Sequence, residues 1–167
     1  MTVVTQLATM LAPWQSLYSD SKVVSASVTG THLLALLGSG GLALGADRST
    51  LRALGAGPEA RSRQLAELHA VHRPVLAALV ILFLSGLLLA AADIDTFVAS
   101  PVFWIKLALV ALLLLNGALL AQTEGTLRRE GEVAGDRLWR RLRLFTWCSL
   151  ALWLATTVAG TVLTSAA

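Results

Sequence analysis

Three histidines and one lysine are the residues of this chain whose placement could do chemistry. His32 is the lone ionisable group in the run Thr29 to Ala46, TGTHLLALLGSGGLALGA. Lys106 interrupts a second apolar run, PVFWIKLALVALLLLNGALLAQ, and His69 and His72 stand three residues apart just before a third. An ionisable side chain in hydrocarbon costs a few kcal/mol unless it is paired or liganded, so each is read first as a site. Imidazole is a common axial ligand of haem iron, whose potential its ligands and surroundings set. A neutral lysine amine offers a ligand for the opposite side. Three plainer alternatives stay open: His32 hydrogen-bonded to a hydroxyl or carbonyl of a neighbouring helix, Lys106 snorkelling to the headgroups, and His69 with His72 as interfacial titratable groups rather than ligands of a metal or second haem.

The elements that must position these residues follow from the charge pattern. Hydrophobic residues make up 56% of 167, charged residues 14%, and the mean hydropathy is +0.71, against about 25% charged in soluble domains. Apart from Lys106, no Lys, Arg, Asp or Glu falls within residues 23–46, 74–92, 102–121 or 144–163. Each run is about long enough to cross a hydrocarbon core of ~30 Å. The expected fold is an all-α membrane protein: a single domain of four transmembrane helices in a bundle, preceded by a short interfacial helix in which Val3, Leu7, Met10, Trp14 and Leu17 recur at helical spacing.

Arginine sets the orientation. The connection Asp47 to Arg73 carries Arg48, Arg52, Arg61, Arg63 and Arg73, and that from Gln122 to Arg143 carries six more, whereas the other side has Lys22 against Asp20, Asp93 and Asp95. The positive-inside rule makes both arginine-rich connections cytoplasmic and both termini external. The net charge of +3 is therefore a topological signal and not a nucleic-acid one. On this orientation His32 lies about 15 Å deep and the Lys106 backbone about 6 to 8 Å deep from the same side, with His72 roughly 15 Å below His32. His32 and Lys106 are the closer pair, and His72 or His69 the lesser alternatives.

Packing expectations centre on the first span. Its small residues include Gly38, Gly41 and Gly45, and Gly41 to Gly45 is a GxxxG that brings helix backbones close. This helix is expected to be the most buried and to meet its neighbours through those three glycines. Ala35, Ser39 and Ala43 share the His32 face, forming a groove that fits a flat macrocycle or another helix. Asn116 is expected to donate to a neighbouring helix, Trp139 to sit among headgroups, and LGAGP at Leu54 to Pro58 to break the first cytoplasmic connection.

The segment HLLALLGSGGLAL, followed two spans later by FWIKLALVALLL, resembles the first and third helices of the HemJ-type protoporphyrinogen oxidase and copper resistance protein D (CopD) group. These are small bacterial membrane bundles with a histidine early in one helix and a lysine at the start of another. The resemblance implies haem b associated with His32 and Lys106. The first helix departs from that pattern by ending ALGADRSTL. Cu(I) transport calls for thioethers and thiolates, and this chain has Met1, Met10 and Cys148.

Two functions are carried forward. One is a small haem-b protein of the bacterial inner membrane with a redox or electron-transfer role, which moves electrons or, as a membrane oxidoreductase, oxidises a hydrophobic substrate. The other is a non-catalytic accessory subunit. The expected partners are the bilayer and either further copies of the chain or a larger membrane complex.

Overall fold

The computed structural model describes residues 3–130 and 135–166, and within them every side chain except those of residues 3–5, 72 and 164–166. They form six helices and no strand: α1 (Val3–Asp20), α2 (Lys22–Ala56), α3 (Pro58–Ala92), α4 (Ile94–Ala99), α5 (Pro101–Glu130) and α6 (Asp136–Ala166). Helices α2, α3, α5 and α6 are long and apolar enough to cross a membrane, and the chain is a multi-pass membrane protein of the expected all-α class.

The helices outrun the apolar segments. At 35 residues each, α2 and α3 are about 52 Å long, well beyond a ~30 Å core. The expected connection from Asp47 to Arg73 is consequently almost all helix, and its break is one residue. Gly57 takes φ 104°, a left-handed conformation that strains any residue with a Cβ, and Pro58 starts α3 at a position where its missing N–H costs nothing. At the other end, the link between α3 and α5 contains an unanticipated short helix, α4, whose first turn is capped by Asp93 accepting from the Thr96 N–H at 3.4 Å.

Helix α1 packs on α2, α3 and α4 and supplies donors to the end of α3. The Trp14 indole donates to the Leu88 carbonyl at 2.9 Å and the Gln15 amide to the Ala91 carbonyl at 3.4 Å. The last four carbonyls of a helix lack partners within it, so the Gln15 bond satisfies one of them at Ala91, and both bonds fix α1 across the end of α3.

Two antiparallel pairs, α2 with α3 and α5 with α6, are joined where α2 packs on α6; α3 and α5 make no close backbone approach of comparable extent. The four long helices thus run in the spatial order α3, α2, α6, α5, with a seam between α3 and α5. The tightest core is at the arginine-rich end, where Leu65, Leu68, Leu127 and Leu142 are buried and Ala46, Leu54, Leu120, Leu138 and Trp139 pack around them. Trp139, expected among headgroups, belongs to this core and lies under the Arg61 guanidinium, 5.1 Å from its ring centroid. Asn116 meets expectation: its amide donates to the Phe145 carbonyl of α6 at 3.0 Å.

The glycine expectation is overturned. Gly38, Gly41 and Gly45 are exposed, and a Cβ on any of them would meet nothing within 4 Å. The buried stripe of α2 runs instead through Ala35, Ser39, Gly40, Asp47, Thr50 and Ala53. At 100° per residue, Gly41 and Gly45 fall on the far side of the helix from Ser39. The close approach is at Gly40, where a Cβ would stand 3.4 Å from the Trp153 ring. A bulky indole on α6, and not a GxxxG pair, selects which side of α2 faces in. Gly40→Leu should therefore lower stability by about 1 to 3 kcal/mol through overpacking, while Gly41→Leu should stay within about 0.5 kcal/mol of the parent. Thermal unfolding of both variants in detergent checks this, and equal losses would contradict it.

Candidate functional site: a histidine fixed between two membrane helices

His32 is half-buried on α2 and meets α3. Its Nδ1 is 3.0 Å from the Ser85 hydroxyl, and a Cβ on Gly86 would stand 3.2 Å from its Cε1. The pair Ser85-Gly86 thus forms the seat of the ring: the hydroxyl holds one nitrogen, and the absent side chain next to it admits the imidazole edge.

The Ser85 hydroxyl has one proton, and its shortest contact is 2.7 Å to the Ile81 carbonyl, with the Leu82 carbonyl at 3.1 Å. Both are acceptors, so the hydroxyl donates into its own helix. Towards His32 it accepts, which puts the proton of the neutral ring on Nδ1. The Leu82 carbonyl also acts as a hydrogen-bond partner of the imidazole. Nε2 is left with its lone pair. Metal-bound histidines are oriented in the same manner, by an acceptor on the ring nitrogen that does not bind the metal.

Lys106, near the start of α5, reaches to α6: its Nζ is 3.6 Å from where a Cβ on Gly160 would be. His32 and Lys106 are each seated against a glycine of a neighbouring helix, His32 on α3 and Lys106 on α6. Chemically, an imidazole nitrogen and an amine are both groups that could ligate a haem iron. The groove expected along Ala35, Ser39 and Ala43 is closed at its first two members, which are buried against the bundle, with Trp153 covering the adjacent Gly40. A macrocycle has no room on that part of the face. The seam between α3 and α5 is the side left open.

His69 is exposed on α3 and far along the helix from His32; it lines a cleft with α5 residues. The side chain of His72 lies outside the described residues. Among the described residues no group of three or more His, Cys, Asp or Glu is arranged to hold a metal ion.

Several site residues escaped the sequence reading. Ser85 and Gly86 stand in ILFLSGLLLA, a small polar pair in a leucine run, a visible signal that nothing in the sequence ties to His32. Asp47, read as the start of a loop, is a buried carboxylate on the inner stripe of α2 beside the Ser149 hydroxyl of α6, and its Oδ2 has no hydrogen-bond partner among the described residues.

Gly86→Ala should displace the His32 ring by a few tenths of an ångström, and Gly86→Leu should cost about 1 to 3 kcal/mol. Leu at Gly117, where a Cβ meets nothing within 4 Å, is the matched control. Melting temperatures in detergent read the difference, and parity between the two leucine variants would contradict the seat. The chain matches no family model, no curated protein and no solved structure, and the geometry around His32 stands on its own.

Proposed function

We propose that this is a small haem-b protein of a bacterial inner membrane with an electron-transfer role, in which His32 Nε2 is one axial ligand of the iron and the Lys106 amine the other. The observation that carries this reading is the hydrogen bond between His32 Nδ1 and the Ser85 hydroxyl, 3.0 Å; with Ser85 donating to the Ile81 carbonyl at 2.7 Å, the ring would offer a lone pair at Nε2. Haem b, when bound, supplies a reversible one-electron change at iron. The chain's own contribution is to fix the imidazole through Ser85, to admit it at Gly86 and to hold an amine at Gly160.

The orientation belongs to the same proposal. Both arginine-rich ends are taken as cytoplasmic and both termini as external, on the strength of the arginine distribution.

A second reading, an accessory subunit or homo-oligomer, has two observations in its favour: the His32 ring is hydrogen-bonded to the Ser85 hydroxyl of a neighbouring helix, as that reading expects, and α2 carries an exposed glycine face. Gly38, Gly41 and Gly45 form an exposed small-residue face on α2 with nothing packed on it, which is the kind of face through which membrane helices associate. The readings are compatible in structure and separate in spectroscopy.

Reduced-minus-oxidised spectra of the purified protein and its variants test the proposal. Haem binding predicts a b-type spectrum that His32→Ala abolishes, since iron loses its main protein ligand. Lys106→Met should keep the pigment with shifted bands, because a thioether replaces an amine. His72→Ala should leave the spectrum as in the parent. A protein that purifies without pigment from haem-replete cells, with all variants alike, would contradict haem binding and leave the accessory reading.

A further inference from the structure

At the arginine-rich end, the seam between α3 and α5 widens into a cleft of about 540 Å³ lined by His69 of α3 and Ala121, Glu124, Gly125, Arg128 and Arg129 of α5. We propose that this cleft binds a phosphate group, either in the headgroup of an anionic lipid or as free phosphate. The inference does not depend on haem.

Three features point to an anion of that size. Arg128 and Arg129 are both exposed on the last turn of α5, so two guanidiniums are available at one rim. Guanidinium is planar and offers paired N–H donors that match phosphate oxygens bidentately. His69 faces the same space from the other helix and adds a ring donor. The acidic lining residue, Glu124, is 3% exposed and sits one helical turn before Arg128, while the two exposed guanidiniums form the accessible rim.

The location favours a phosphate that arrives with a lipid. Ala121 continues the cleft towards the apolar part of α5, and basic pockets between membrane helices on the cytoplasmic side are recurrent sites for anionic headgroups.

Native mass spectrometry of the detergent-purified protein with equimolar phosphatidylglycerol and phosphatidylcholine tests this. The parent should retain phosphatidylglycerol preferentially. Arg128→Ala/Arg129→Ala should reduce that preference roughly 25-fold, as expected for removing two charges near a headgroup. Ala121→Phe narrows the apolar end of the cleft without changing charge and should reduce it in part, while circular dichroism reports both variants folded. Millimolar inorganic phosphate separates the sources: displacement of the lipid identifies phosphate alone as sufficient, and continued retention identifies the lipid. Equal retention of both lipids by the parent with no competition by phosphate would overturn the proposal. So would full preference in Ala121→Phe, which would assign the effect to surface charge rather than to the cleft.

Discussion

A polar group inside hydrocarbon has no water to turn to, and this constraint organises the interior of the protein. Most of its buried hydroxyls turn back onto their own helix. Ser39 donates to Ala35, Thr50 to Ala46, Ser85 to Ile81, Thr123 to Leu119 and Thr146 to Leu142, all at 2.6 to 2.9 Å. Each hydroxyl then has only its lone pairs to offer a neighbour. That makes Thr50 an acceptor for the Gln64 amide at 3.2 Å and Ser85 an acceptor for His32. The tautomer of the one mid-membrane histidine is thus decided by a serine satisfying its own donor first.

The same constraint explains how the two helix pairs are joined. Gln64 to Thr50 ties α3 to α2, and Asn116 to the Phe145 carbonyl ties α5 to α6; such bonds contribute about 0.6 kcal/mol each in membranes. Between the pairs, the α2–α6 contact rests on shape, with Trp153 over Gly40, and on the buried Asp47 beside Ser149. Between α3 and α5 the buried contact is at the arginine-rich end, where Leu65 and Leu68 share a core with Leu127, and the basic cleft lies between the same two helices.

The four spans were legible in the sequence, because charge segregation is a one-dimensional signal. Which side of α2 faces inward was not. Gly41 to Gly45 satisfies a local motif, but the inward side is chosen by a partner, Trp153, more than a hundred residues away. Ser85 and Gly86 were invisible as site residues for the same reason: their role exists only once α3 lies against α2. Asp47 looked like a loop residue because helices α2 and α3 continue well past the apolar segments, and a carboxylate at that boundary is buried only if α6 covers it.

If Ser85 accepts from Nδ1, His32 presents an unprotonated Nε2. Nitrogen-15 NMR of histidine-labelled protein in bilayers, freed of any pigment, measures this directly, with His69→Gln and His72→Gln variants assigning the His32 signals. The account predicts a proton on Nδ1 and a lone pair on Nε2 in the parent, with the Nε2–H form rising in Ser85→Ala. A parent in which His32 carries its proton on Nε2 with Nδ1 bare would contradict it.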